Sequence, residues 1–173
     1  MHYGNNKPKY IRYAIYTVLL VLTAILQNSP GGIPDIFGAR ALILLPVCVS
    51  IAMFEREIAA ALFGVFAGFL WDVSTGRDGF NAFLLLIICA ICSLLISHFM
   101  RNNVLTALVL GSGSVVLYSV IYVIVNLIAA GAGISVKQLF TFYLLSGVYT
   151  LIFVPVFYFI TSWIYNSHKT ADE

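Results

Sequence analysis

The chain has 173 residues, of which 61% are hydrophobic and only 9% are Asp, Glu, Lys or Arg. Soluble domains carry roughly 25% charged residues, so this composition excludes a soluble globular surface and indicates a single polytopic membrane domain. The formal net charge of +2, without a basic cluster, is too small to indicate nucleic acid as a partner.

The N-terminal stretch places Lys7, Lys9 and Arg12 ahead of an apolar run, an order that signal peptides share. The run ends in "QNSPGG" without a small-x-small cleavage site, and further apolar segments follow it. We therefore predict a retained first membrane span. Residues 1–9 and 166–173 are then short cytoplasmic tails, and they flank a transmembrane domain over residues 10–165.

Polar breaks divide the chain into six apolar segments, and each segment predicts a membrane-spanning helix. The predicted helices cover residues 10–29, 39–54, 57–73, 80–100, 104–130 and 137–165. A full crossing takes about 20 apolar residues, and the second and third segments have shorter apolar cores. The sequence "FERE" between those two segments is therefore also compatible with the tip of a re-entrant hairpin.

The orientation of the chain follows from its basic residues, because cytoplasmic loops of membrane proteins are enriched in lysine and arginine. With a cytoplasmic N-terminus, the cytoplasmic loops and tails hold Lys7, Lys9, Arg12, Arg56, Arg101 and Lys169. The opposite loops hold Arg40, Arg77 and Lys137. This bias predicts an all-α protein with six transmembrane helices and both termini in the cytoplasm.

The sequence contains no pattern that is typical of a catalytic site. It has no H-E-x-x-H, Walker or G-x-S-x-G motif, and its three histidines lie near predicted cytoplasmic helix ends. Cys89 and Cys92 have C-x-x-C spacing, but like Cys48 they lie inside apolar runs without polar partners. That setting favours small core residues over a metal or redox site. We expect no enzymatic activity, no cofactor and no metal.

The stretch "GFLWDVSTGRDGFNAF", from Gly68 to Phe83, concentrates polar residues and glycines between two apolar segments. The combinations "STG" and "RDG" within it are typical of turns. We therefore predict a helical hairpin at this point. Asp78 or Asn81 is expected to cap the start of the fourth helix.

Asp72 in this hairpin lies in the last turn of the third predicted helix. A carboxylate is disfavoured there, because the helix dipole is negative at its C-terminal end and lipid adds to the cost of burying a charge. Three interpretations remain open. Asp72 is an interfacial carboxylate that reaches water, a structural ion pair with Arg40 or Arg77, or a proton- or substrate-coupling group.

Ala60, Gly64 and Gly68 recur every four residues along the third helix and therefore lie on one of its faces. Small residues let two membrane helices approach closely, because side-chain bulk is missing where the backbones meet. We predict a helix-packing face at these positions. Its partner is either another helix of this chain or a second protein.

The hairpin sequence "GFLWDVSTGRDGFNAFLLL", with "FERE" before it and "MRNN" after it, resembles the MreD family of bacterial rod shape-determining membrane proteins. The "ILQNS" at the end of the first span and the six predicted spans fit the same family. The resemblance extends from about Ile25 to Ala107. The motif that carries it consists of Gly68, Trp71, Asp72, Gly76, Gly79, Phe80 and Asn81.

This resemblance implies a non-enzymatic, multi-pass protein of the bacterial cytoplasmic membrane. Proteins of the family belong to the cell-wall elongation complex, or rod complex, and maintain cell shape by directing lateral peptidoglycan synthesis. The implied partners are membrane lipid and the single-span protein MreC. A wider complex with the filament protein MreB, with RodA and with a class B penicillin-binding protein is implied as well.

The alternative is the six-span substrate-binding component of an energy-coupling-factor vitamin transporter, to which MreD-like chains are architecturally similar. Such components often carry an A-x-x-x-A face on the first span for docking, and the first span here has only Ala14 and Ala24. The loops predicted outside also lack the clustered polar side chains that a vitamin would need. These differences favour the elongation subunit.

Overall fold

The computed structural model describes residues 7–29, 41–76, 79–130 and 136–169, except for the side chains of residues 126–145. Over this part of the chain, six helices follow one another, which confirms the predicted all-α class. They are α1 (Lys7–Asn28), α2 (Leu44–Phe54), α3 (Glu57–Thr75), α4 (Phe80–His98), α5 (Val104–Ala130) and α6 (Val136–Ser167). Five of the helices, all except α2, are long and apolar enough to cross a membrane. This indicates a multi-pass membrane protein.

The five long helices form a ring around α2. Along the ring, α1 packs beside α3, α3 beside α4, α4 beside α5, α5 beside α6, and α6 returns to α1. Helix α2 contacts all five, and its residues from Leu44 to Met53 are buried. The closest packing in the ring joins α3 to α4, whereas α4 and α5 hardly touch.

The two ends of this bundle are named here after a buried charge that lies at each. The Arg12 end holds the start of α1, the connection from α2 to α3 and the end of α6, because Arg12 Nη1 donates to the His168 carbonyl over 3.5 Å. The Asp72 end holds the end of α3 and the start of α4. The first and last described helices therefore have their outer termini at the same end of the bundle.

Helix α2 is too short for a full membrane crossing. Its 11 residues extend only about 16 Å, against a hydrocarbon core of about 30 Å. The predicted span began at residue 39, but Ala41 to Ile43 precede the helix and residues 39–40 lie outside the described part of the chain. Helix α2 thus begins inside the ring, where Ala41 and Leu44 are fully buried.

A helix that begins in an apolar interior needs acceptors for its first N–H groups, since water cannot reach them. The N–H of Leu44 donates to Gln27 Oε1 over 2.8 Å, and Pro46 has no N–H to satisfy. The N–H groups of Leu45 and Val47 donate to backbone carbonyls of the preceding turn. One residue before the turn, the N–H of Leu42 donates to Thr150 Oγ1 over 2.9 Å. The start of α2 is thereby tied to both α1 and α6.

Candidate functional site

The hairpin between α3 and α4 has the turn chemistry that the sequence predicts. Helix α3 ends at Thr75, and Gly76, which follows it, has a left-handed φ of 65°; Gly79 before α4 has a φ of 77°. Glycine adopts such angles without the strain that a Cβ would cause. The Ser74 and Thr75 hydroxyls donate back to backbone carbonyls of the last turn of α3. Arg77 and Asp78 lie outside the described part of the chain.

Asp72 caps helix α4 from the neighbouring helix. Its Oδ1 accepts from the backbone N–H of Asn81 over 3.0 Å and from Asn81 Nδ2 over 2.9 Å, and its Oδ2 accepts from the N–H of Ala82 over 2.8 Å. These N–H groups belong to the first turn of α4, where the helix dipole is positive. The carboxylate is only 3% exposed. Its position at the start of α4 offsets the unfavourable dipole of its own helix.

The predicted cap by Asn81 is therefore wrong, because the Asn81 side chain donates to Asp72. Asp78, the other residue predicted as a cap, lies outside the described residues. Asp72 is buried, so it is not the interfacial carboxylate in contact with water that one of the three interpretations predicted. The possible ion pair of Asp72 with Arg40 or Arg77 stays a prediction, because both arginines lie outside the described residues.

Helix α5 completes this site through an aromatic residue that the sequence analysis missed. The Tyr118 hydroxyl donates to Asn81 Oδ1 over 2.8 Å, and its ring stacks on Trp71 with centroids 5.2 Å apart. Tyr122, one turn further along α5, stacks on Tyr118 and meets the Phe80 ring edge-on. The spacing of four residues between the two tyrosines in an aliphatic run is the signal that could have found them.

The small residues of α3 bring α4 close enough for this arrangement. A Cβ at Gly64 would lie 2.6 Å from the Leu85 carbonyl oxygen, and a Cβ at Gly68 would overlap the backbone of Ala82. Ala60 is buried on the same helix. The structure thus places the predicted helix-packing face against α4 of the same chain. Any side chain at position 68 would push the first turn of α4 away from Asp72.

A second buried polar site lies at the Arg12 end of the bundle. Arg12 Nε lies 2.7 Å from Glu55 Oε1, and Arg12 Nη2 donates to Glu55 Oε2 over 3.3 Å. Both side chains are almost completely buried. The guanidinium also lies over the Tyr165 ring, 4.6 Å from its centroid. This ion pair connects α1, the α2–α3 connection and α6.

The backbone around Glu55 is held by side chains from α4 and from the α4–α5 connection. The Ser93 hydroxyl donates to the Glu55 carbonyl over 2.8 Å, and Asn102 Nδ2 donates to the Met53 carbonyl over 2.9 Å. From the sequence, Arg12 was expected to contribute to orientation and Glu55 to lie in a loop, and their pairing was not predicted. A buried pair whose members are 43 residues apart has no local sequence signal.

The chemistry available to these two sites is limited, because their polar groups bind each other. In the part of the chain that the structure describes, no three His, Cys, Asp or Glu side chains lie close enough to hold a metal ion. Cys48, Cys89 and Cys92 are buried and carry free thiols.

Two cavities of about 420 and 410 Å³ open between helices instead, and their linings are apolar apart from small serine and cysteine side chains. The first lies between α5 and α6. The second, named here the α4–α5 groove, is lined by residues that include Ile91, Leu95, Met100, Val109, Gly113 and Leu117.

Comparisons of the chain with protein-family models, with curated proteins and with solved structures found no match. The function is therefore inferred from the residues and the geometry of the chain itself.

Proposed function

We propose that the chain is a non-enzymatic membrane subunit of the bacterial cell-wall elongation complex. In this role it resides in the cytoplasmic membrane, docks with MreC and helps to direct lateral peptidoglycan synthesis, within a wider complex that contains MreB, RodA and a class B penicillin-binding protein. The proposal rests on the MreD-like hairpin motif between Gly68 and Asn81.

The main support for the proposal is that the polar side chains of this motif bind other residues of the same chain. Asp72, Asn81 and Tyr118 bind one another inside the bundle, so they hold three helices in place. An enzyme or a vitamin-binding component needs polar groups that face a substrate. A chain whose polar motif serves its own packing can engage partners through its apolar helix surfaces and short connections, which supports a docking subunit over a transporter component.

The proposed topology keeps an even number of passages through the membrane, with both termini in the cytoplasm. Five of these passages are the long helices, and the sixth is the passage that contains the short helix α2. The Arg12 end, with its excess of basic residues, is then cytoplasmic. In a chain without cysteines, Thr75→Cys at the Asp72 end should react with a membrane-impermeant maleimide in intact cells. Asn103→Cys at the opposite end should react only after permeabilisation, and both positions are exposed. The reverse pattern of labelling would invert the proposed orientation.

Depletion tests the function in a rod-shaped bacterium that carries this gene. Cells should become wide and rounded, because wall insertion loses its lateral direction when the subunit is missing. The protein purified from the same membranes should retain MreC and should show no glycosyltransferase or transpeptidase activity alone. Expression of the wild-type chain from a second locus is the control and should restore rods.

The transporter alternative predicts different results in the same experiment. Cells would keep their rod shape, and mass spectrometry would find a vitamin in stoichiometric amount in the purified protein. Rods that persist after depletion, or a chain that purifies without MreC under conditions that preserve the complex, would contradict the proposed function.

A further inference from the structure

The α4–α5 groove lies along one of the two loosely packed helix pairs of the ring. Helices α4 and α5 are joined by the short connection from Phe99 to Asn103 at the Arg12 end, and by the hydrogen bond between Tyr118 and Asn81 at the Asp72 end. Between these two fixed points the helix backbones stay apart, although Cys92 and Ser114 meet across the gap, and the groove of about 410 Å³ lies between the helices. Its walls therefore cannot move far apart.

The lining of the groove is suited to hydrocarbon. Apart from small residues, its walls are aliphatic side chains and Met100. The two polar atoms deep in the groove satisfy each other, because Cys92 Sγ and Ser114 Oγ lie 3.5 Å apart and both residues are buried. Gly113 leaves open space, since a Cβ built there would meet no atom within 4 Å. No polar group in this lining calls for a polar ligand.

The size of the groove distinguishes an acyl chain from a transmembrane helix. A helix is 10–12 Å across, so a 30 Å crossing occupies on the order of 2,000–3,000 Å³. An acyl chain, with methylenes at contact distances of 4–5 Å, occupies about 250 Å³ over the 15 Å of one leaflet. The groove holds about 410 Å³, which accommodates one acyl chain and is far too small to enclose a helix.

The length of the groove along the helix axes also matches the thickness of one leaflet. Its lining on α4 runs from Ile88 to Leu95 and continues to Met100. Ile88 lies ten residues before the helix end at His98, or about 15 Å along the axis. The groove thus occupies the half of the bundle that is nearer to the Arg12 end.

A cationic residue is the chain neighbour of a residue that lines the groove. Arg101 follows Met100 directly and is exposed. Among the described residues, the Arg12 end carries five exposed or partly exposed cations, Arg101 included, against the single acid outside the ion pair, Glu57. The cations are Lys7, Lys9, Arg56, Arg101 and Lys169. Such a surface attracts anionic headgroups, and each cation near the membrane surface contributes about 1 kcal/mol.

We propose that the α4–α5 groove binds one anionic phospholipid, with an acyl chain between the two helices and the phosphate at Arg101. The lipid would fill the seam that the helices leave open and thereby hold α5 against the rest of the ring. The site depends only on the geometry of this chain and is independent of the proposed function. Either one can fail without the other.

Native mass spectrometry of the full chain tests this site. The protein is reconstituted in nanodiscs of equal parts phosphatidylglycerol and phosphatidylcholine and then released into mild detergent. We expect one retained phosphatidylglycerol per chain. Gly113→Leu should abolish retention because it fills the groove, whereas Gly113→Ala should preserve it. Leucine also favours a helix more than glycine does, so the variant should fold.

The headgroup is tested with two exposed arginines of the same bundle end. Arg101→Gln should lower the preference for phosphatidylglycerol over phosphatidylcholine about five-fold, whereas Arg56→Gln should leave it unchanged. A diazirine-labelled acyl chain should crosslink to α4 and α5. Equal retention of both lipids by the wild type, unchanged retention in Gly113→Leu, or crosslinks confined to other helices would each overturn the proposal.

Discussion

Replacement of Asp72 by alanine is expected to lower the free energy of unfolding of the bundle by about 3–5 kcal/mol. The carboxylate accepts three hydrogen bonds inside the bundle, two of them from backbone N–H groups in the first turn of α4. Alanine leaves these donors buried and without an acceptor. Water cannot replace the carboxylate there, because Asp72 is almost completely buried. Unfolding by SDS in mixed micelles measures the loss.

Two substitutions separate the cap from other effects at this hairpin. Asp72→Asn retains one acceptor oxygen and should cost less than alanine. Ser74→Ala removes an exposed hydroxyl bond in the same turn and should change stability by no more than about 0.5 kcal/mol. A double-mutant cycle of Asp72→Asn with Arg40→Gln or Arg77→Gln measures the predicted ion pair. An Asp72→Ala chain as stable as Ser74→Ala would contradict the capping role.

Separate replacement of Arg12 and Glu55 by methionine is expected to cost about 3–5 kcal/mol each, because each change leaves the other charge buried without its partner. Replacement of both residues together should recover most of that loss, since two apolar side chains of similar size fit the same space without any charge to desolvate. Unfolding in mixed micelles gives the coupling energy from the four proteins.

The matched control for this pair is Lys7→Met, which removes an exposed cation from the same helix. Its effect on stability should stay within about 0.5 kcal/mol. Additive losses in the double variant, without recovery, would show that the two side chains contribute independently. The buried ion pair would then be ruled out as a unit that joins α1 to the α2–α3 connection.

Most of the helices could be predicted from the sequence because most of their boundaries are local. Gly76 follows the end of α3 and Gly79 precedes the start of α4, and both have a left-handed backbone. Glycines between two apolar runs are a sequence signal for such a helix boundary. The start of α2 has no such signal in the local sequence. It depends on Gln27 and Thr150, which come from other helices, so an apolar segment alone predicted a longer span.

The candidate sites were predicted only in part, for a related reason. Asp72 was recognised as a residue that needs partners, because a charge in an apolar run is costly wherever the chain folds. Its partners could not be predicted, since the approach of α4 depends on tertiary packing at Gly68. Tyr118 and Glu55 were missed because their roles arise only when distant helices meet.

The position of α2 has a consequence for how the protein is made. Helix α2 leaves the ribosome early, but the acceptor for the Leu42 N–H is Thr150, which is synthesised 108 residues later. A nascent chain that stops before α6 contains a short, apolar segment with an unsatisfied backbone donor. Such a segment is not a stable insertion product by itself. We therefore expect the packing around α2 to be completed only when α6 has entered the membrane and supplied Thr150.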